Sequence, residues 1–402
     1  MMENERNHDF FGCWPDHVLI FGGGRWARVL AETLCCILPP SVELSVCSPH
    51  GAETQKIWVR ERGINSRLQV LDERPSRLSQ GCTAVIVANA AKDHVTTGHW
   101  ALEQGAAVLV EKPLALTLSD AYSLSAKAAD LDGFLAAAHV FRFARYLEVF
   151  AGHVAVAEDV RSIKVEWSDP VGERRYGESK QYDAGVPVYA DCLPHIISIL
   201  QTVFSAFPVA NGPVEVEAGG SRMRIPLTLG GRSCQVHLER NALRRRRAVT
   251  VETGRGTLKL DFSTEPGIIW DCAVTHTADD TWGTSPRPLA LLLKSFLVAA
   301  CGGPVDPRLS LDTAFQACDL IETILVSYEA VMLPWLASTL SVNVPVDGSL
   351  RYALRELLEA DGRLSAYDLE TQIARVCTRF QAPQSGAELQ ALPSVIRTYA
   401  KD

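Results

Sequence analysis

The chain has 402 residues, 47% hydrophobic and 21% charged, which excludes overall disorder and supplies apolar material for more than one packed core. Its 39 Lys and Arg against 47 Asp and Glu leave a net charge of −8, which excludes general electrostatic attraction to nucleic acid or an anionic membrane. The one basic run, Arg244–Arg247, reads as a solvated turn or strand face between strand-like segments.

In chain order, residues 1–16 mix acids with bases and lack the apolar stretch of roughly 7–15 residues that a secretion signal needs, so a cytoplasmic protein is expected. His17–Phe21 is a short apolar run ending in Gly22, Gly23 and Gly24. Beyond it Trp26, Val29, Leu30 and Leu34 recur at helical spacing, giving strand, tight turn and helix. Val42–Val46 alternates as a second strand, followed by a polar, helix-compatible stretch to about Arg62. Ala84–Ala88 is a third strand, His94–Gly105 a helix closed by glycine, Ala107–Val110 another strand, Leu118–Leu131 a helix, and Phe134–Val140 a further strand. Strands alternating with helices predict an α/β Rossmann domain over residues 14–140, a doubly wound parallel sheet.

After residue 140 the texture changes. Arg161–Trp167, Ser221–Leu229, Ser233–Glu239, Ala248–Glu252 and Gly256–Phe262 alternate between Gly, Asn or charged turns, as strands of an antiparallel sheet do. Helices are expected over Tyr189–Phe204 and Leu289–Ala300. The reading is an α+β substrate domain over 141–337 with a mostly antiparallel sheet, whose exposed face is a candidate surface for a homodimer or tetramer. A helical C-terminal extension follows over 338–402, with Leu354, Leu357 and Leu358 on one face. The longest apolar stretches, such as Pro288–Cys301, fall short of the ~20 residues of a membrane span. The 11 cysteines are scattered without a C-x-x-C pair, which predicts reduced core thiols and neither a disulfide framework nor a metal site.

Gly22-Gly23-Gly24-Arg25-Trp26-Ala27 fits the dinucleotide fingerprint G-x-G-x-x-[G/A] in the strand-to-helix setting that motif requires. Gly22 permits the tight turn, Gly24 lets backbone approach a pyrophosphate, and Ala27 allows close helix packing, while the N–H groups of the first helical turn hold the anion. Where an NAD enzyme usually carries an acid after the second strand, this chain has Cys47-Ser48-Pro49-His50. Ser48 can donate to a 2′-phosphate, and His50, Lys56 or Arg60 can add positive charge, so NADP is preferred over NAD.

Two further stretches narrow the reading. Asn89–His94 leads into His99–Gly105 and Val108-Leu-Val-Glu-Lys-Pro113, and Asp191-Cys-Leu-Pro-His195 opens a helix of the second domain. Together with the glycines, these resemble the glucose–fructose oxidoreductase / inositol dehydrogenase / MocA (Gfo/Idh/MocA) family over roughly residues 16–335, including Pro288–Ala300 as the helix near the end of the second domain. The resemblance implies that Lys112 positions cofactor and substrate and relays a proton, that His195 is the general acid/base and that Asp191 orients it. By the family pattern the Lys112–Pro113 bond is cis. The residues themselves allow this chemistry. Hydride transfer to a carbonyl or imine carbon leaves a basic oxygen or nitrogen that needs a proton donor. Lys112 follows an apolar strand, at the sheet edge where open α/β folds bind ligands. Asp191 and His195 are four residues apart and share a helix face.

Glu111 is expected to hold Lys112 or a local turn. Asn89 and His94 lie in the loop after the third strand, near the cofactor path, and Trp26 packs on the cofactor or in the core. Arg142, Tyr146, Arg174, Arg175, Tyr176 and Lys180 are candidate substrate contacts, which would select an anionic or polar substrate. The approach to the Asp191 helix keeps only Gly185 of the glycine cluster seen in sugar-acting members, and Val186, Pro187 and Val188 make it bulkier, a poor fit to a free sugar. The expectation is an NAD(P)-dependent oxidoreductase moving hydride between nicotinamide and an alcohol/carbonyl carbon of a small polar metabolite, with no nucleic-acid or membrane partner. The alternatives are an NADPH-dependent imine reductase of secondary metabolism and a non-catalytic NAD(P)-sensing regulator.

Overall fold

The computed structural model describes residues 14–170, 173–175, 178–179, 187–217, 220–272 and 274–340. Tyr176, Lys180, Gly185, Val186 and, of the C-terminal extension, residues 341–402 with Leu354, Leu357 and Leu358 lie outside them. Among the described residues the chain divides into two compact units, one of residues up to Phe143 with Pro286–Leu311, the other of Ala144–Ser285 with the chain from Asp312.

The first unit begins with β1 (His17–Phe21), α1 (Arg25–Ile37), β2 (Glu43–Cys47), α2 (Ala52–Glu61), β3 (Gln69–Leu71) and β4 (Thr83–Val87). It continues with α3 (His94–Glu103), β5 (Ala107–Val110), α4 (Leu118–Asp130) and β6 (Leu135–Ala137). The strands form a parallel sheet of order β3-β2-β1-β4-β5-β6. Every residue of β1, β4 and β5 is buried, as a sheet covered by helices on both faces requires, which is why these strands read as unbroken apolar runs. The order reverses between β1 and β4, and there the chain turns at Gly22 beside the carboxyl ends of both strands. Two details differ from the sequence reading. β3 was not foreseen, because Gln69–Leu71 is only three residues long, and the last strand is shortened to Leu135–Ala137 because Val140–Phe143 winds into a 3-10 turn.

The second unit contains α5 (Arg145–Ala155), β7 (Ser162–Pro170), β8 (Arg174–Arg175), β9 (Glu178–Ser179), α6 (Val188–Phe204), β10 (Pro208–Ala210), β11 (Glu215–Glu217) and β12 (Arg222–Leu229). After these come β13 (Arg232–Ala242), β14 (Arg246–Thr253), β15 (Gly256–Asp261), β16 (Ile268–Asp271) and β17 (Val274–Thr277). Apart from the β8–β9 pair, the strands form one sheet of order β10-β12-β13-β7-β14-β15-β16-β17 with β11 on β12; only β13 and β7 run parallel. Alternation along β12 puts Met223, Ile225, Leu227 and Leu229 inside, where α6 packs against β12 and β13. The other face is charged and ion-paired, with Arg222 bridging Glu217 and Glu239 and Arg224 bound to Glu215.

The chain then contributes α7 (Pro288–Ala300) to the first unit and α8 (Asp312–Leu340) to the second. The sequence reading placed Pro288–Ala300 in the second domain. Instead Leu292, Leu293, Phe296 and Leu297 complete the core formed by β1, β4, β5 and α1, and Phe296 stacks on Phe134 with ring centroids 6.0 Å apart. The reading of Arg244–Arg247 as a solvated face also needs correction. Arg247 is 2% exposed and ion-paired with the equally buried Asp169, because strand alternation turns it inward. No helix among the described residues is long and apolar enough to cross a membrane.

Candidate functional site

In the first unit the glycine turn is built by close contacts at two positions and left open at the third. Gly22 has φ +150° and donates its N–H to Cys47 O at 3.0 Å; a Cβ there would lie 2.5 Å from Ala88 O. At Gly23 a Cβ would meet Ser48 Oγ at 2.1 Å, and the Gly23 carbonyl accepts from Gln55 Nε2 at 2.7 Å. Gln55 is fully buried and is itself held by Arg28 Nε at 3.3 Å. Sequence reasoning missed it; the only available signal was a glutamine on the same face of α2 as Ala52, Trp58 and Val59.

Gly24 is different. It is exposed, with φ −83° and ψ 175°, which any residue adopts, and a Cβ there would meet no protein atom within 4 Å. The protein's own packing therefore does not require glycine at this position. Gly24 is also the N-cap of α1, with no side-chain cap and no acid in the first turn, so the helix's leading N–H groups and positive end are left for an anion. Arg25 and Trp26 open α1 half-buried, Trp26 packing on the core edge, and Ala27 is buried against the turn. These residues fit a dinucleotide pyrophosphate.

At the end of β2, Ser48 is buried beneath the turn, its Oγ pressed towards Gly23 and Gly51, while His50 is exposed. Burial pushes the neighbouring Cys47 thiol up to about 11, with Arg74 opposing and Asp72 adding to the rise. The β2 edge thus has an acid and a base close by, from the loop after β3, that the motif alone did not reveal. Arg74 lies over the Trp100 ring, 5.2 Å from its centroid.

After β4 and β5 the expected residues meet. Glu111 N donates to Val87 O at 2.8 Å, and Glu111 Oε2 accepts from Lys112 N at 3.2 Å. Burial pushes the Glu111 carboxyl up, against the opposing pull of Trp26 and Lys112. Lys112 is half-buried, two residues beyond the buried end of β5 at Val110, and the Lys112–Pro113 peptide is cis. Asn89 donates from Nδ2 to Thr97 Oγ1 at 2.9 Å. His94 is 2% exposed, with Nδ1 2.7 Å from Pro113 O and Nε2 3.2 Å from Asn89 O. Burial lowers its proton affinity, and a neutral ring, with one N–H, can donate to only one of these two carbonyls. Arg142 sits half-buried in the 3-10 turn.

In the second unit, Asp191 and His195 fall in the first two turns of α6. Both are half-buried. Arg240 on β13, 3% exposed in its side chain, approaches Asp191 Oδ2 with Nη2 at 3.4 Å. The His195 imidazole stacks on the indole of Trp167, centroids 5.3 Å apart and planes 16° apart, and the Arg247 guanidinium lies 3.6 Å from the centre of the same indole. None of these three supporting residues was foreseen. Tyr146, taken as a substrate contact, is fully buried, with its hydroxyl donating to Glu265 Oε1 at 3.3 Å and its ring against Phe262 and Trp282. Arg174 is exposed on β8, which runs antiparallel to β9 with Arg175 in backbone register with Glu178.

Residues 17–139 match the model of an oxidoreductase family with an NAD-binding Rossmann fold. No curated protein sequence matches the chain. Among solved structures, KijD10, a 3-ketoreductase from Actinomadura kijaniata in complex with NADP and TDP-benzene, is 19% identical with TM-score 0.64, over 78% of this chain and 98% of that one. UDP-N-acetylglucosamine 3-dehydrogenase GnnA from Acidithiobacillus ferrooxidans is 19% identical with TM-score 0.60, over 77% of this chain and 97% of that one. At such identities the likeness is one of fold. Residues 17–139, with their glycine turn and Glu111-Lys112-Pro113 edge, thus match the NAD-binding Rossmann domain of the Gfo/Idh/MocA oxidoreductase family, the family that the sequence resembles.

Proposed function

We propose that the chain is an NADP-preferring oxidoreductase that moves hydride between nicotinamide and an alcohol or carbonyl carbon of a small polar metabolite. The observation that carries this reading is the uncapped start of α1 under Gly24, where neither a side chain nor packing occupies the approach. The bound nicotinamide supplies or accepts the hydride. Gly22, Gly23, Gly24 and the first turn of α1 hold the pyrophosphate. Lys112 donates a hydrogen bond to the substrate oxygen as charge develops there, and His195 exchanges the proton that accompanies its conversion between carbonyl and alcohol. Asp191, held by Arg240, orients the imidazole.

The preference for NADP is supported by the absence of an acid directly after β2 and by His50 and Arg74 near that edge. GnnA is named as a dehydrogenase of UDP-N-acetylglucosamine, and the 3-ketoreductase KijD10 is bound to TDP-benzene. A nucleotide-linked sugar is therefore the first substrate class to try, ahead of the free sugar that the bulky Val186-Pro187-Val188 approach disfavours.

The test is calorimetric titration with NADPH and NADH, then turnover against UDP-N-acetylglucosamine, TDP-sugars, free sugars, keto acids and cyclic imines. NADPH should bind more tightly than NADH, and Lys112→Ala and His195→Ala should each lower turnover by about 10²–10⁴. Full turnover in both variants refutes the assigned roles. Amine formation with stoichiometric loss of NADPH would identify an imine reductase, and cofactor binding without turnover on any of the panel would identify a sensor.

A further inference from the structure

We infer that Trp167, backed by the buried Arg247–Asp169 pair, is a positioning residue that fixes the plane of the His195 imidazole. The inference deepens the proposed function and rests on His195 as the group that exchanges the proton.

Arg247 and Asp169 have side chains only 2% exposed. Desolvating such a pair consumes most of what its attraction returns, and apolar residues of equal volume generally do as well or better. Yet here both terminal nitrogens of Arg247 are held in place. Nη1 donates to Ser168 O at 2.6 Å and to Arg246 O at 2.7 Å, and Nη2 donates to the Asp169 carboxylate. Arg247 on β14 and Trp167 on β7 are register partners. The cation therefore sits on its cross-strand neighbour, 3.6 Å from the indole centre, where a π-face attracts it most.

An indole gripped this way cannot turn about its χ angles without breaking that contact. Trp167 is 6% exposed and its ring lies nearly parallel to the half-buried imidazole of His195, at 16°. Imidazole nitrogens accept and donate protons only in the ring plane. Holding that plane therefore fixes the directions along which His195 can exchange a proton, before any substrate arrives. Asp191, one turn earlier on α6, is gripped from another strand through Arg240. The sheet thus holds the two helix residues through separate arginines, one directly and one through an indole.

The experiment uses the full chain without ligand, carrying isotope-labelled histidine. The His195 ring resonances are assigned by their loss in His195→Gln. In the wild type they should form one set, displaced upfield by the indole ring current relative to exposed His50. Trp167→Leu should abolish that displacement, and Trp167→Phe should restore most of it. On the panel substrate that the wild type turns over, Trp167→Leu should lower kcat about 10-fold with KM within about 3-fold, and Trp167→Phe should recover kcat. If Trp167→Leu does not fold, Arg247→Lys serves instead: it keeps the charge beside Asp169 but loses the flat contact, and should split or shift the His195 resonances. Unchanged His195 resonances in either variant, or an unchanged kcat once the displacement is lost, overturn the inference. Should the wild type turn over nothing on the panel, the proposed function fails while the resonances still decide whether the ring is held.

Discussion

Gly22 and Gly24 allow a direct separation of fold from ligand. At Gly22, alanine would carry φ +150°, a region costing roughly 1–3 kcal/mol for a residue with a side chain. Its methyl would also lie 2.5 Å from Ala88 O, a backbone atom fixed between β1 and β4 that has no rotamer to escape through. Together these should cost about 2–4 kcal/mol, or roughly 5–15 °C in the unfolding midpoint of a unit this size. At Gly24, alanine meets nothing within 4 Å and keeps an ordinary extended conformation, so stability should stay within about 1 kcal/mol of wild type. Its methyl does, however, stand in the approach to the first turn of α1. Losing one charge-assisted hydrogen bond to a phosphate is worth about 1.5–3 kcal/mol, so NADPH affinity should fall about 10–100-fold. Scanning calorimetry and isothermal titration on the two variants read these quantities separately. A Gly24→Ala protein that binds NADPH within about threefold of wild type would refute the placement of the pyrophosphate.

Asp169→Leu should lose about 3–5 kcal/mol of stability by leaving Arg247 buried and uncompensated, whereas Asp169→Leu with Arg247→Met should recover most of it, as read from urea midpoints. The His94 imidazole has its proton affinity lowered by burial. Above about pH 6.5 the ring is neutral in both folded and unfolded chains; as pH falls through that value the unfolded chain takes up a proton that the buried ring resists, so stability declines until the lowered folded value is reached. Between pH 8 and 5 the wild type should therefore lose stability relative to His94→Gln, and parallel stability curves would contradict this. Arg74→Glu should weaken NADPH binding more than NADH binding; equal weakening would remove Arg74 from the discrimination between them.

What could be read in advance follows from the range of the interactions. The glycine turn, the place of Lys112 just after a buried strand and the shared helix of Asp191 and His195 were legible because each depends on residues within a turn or a strand of one another. Tyr146 was misread because its polar end is satisfied by Glu265, 119 positions away. Arg247 was misread because four consecutive arginines look like surface, and nothing nearby shows that one meets Asp169, 78 positions away. The helix over Pro288–Ala300 was legible from its sequence, but its mostly apolar composition does not say which core it belongs to. Trp167 and Arg240 carried no local signal, and Gln55 only its place on the apolar face of α2, since their roles depend on partners in other elements.

The late return of α7 bears on how the protein is made. A ribosome that has released residues up to Phe143 has exported every strand of the nucleotide-binding sheet, yet Leu292, Phe296 and Leu309, which seal its core, are still to be translated. The nascent first unit must wait, with apolar surface uncovered, through the synthesis of more than a hundred further residues. A recombinant fragment ending at Phe143 would lack these residues and should meet the cell's quality control as an unfinished globule.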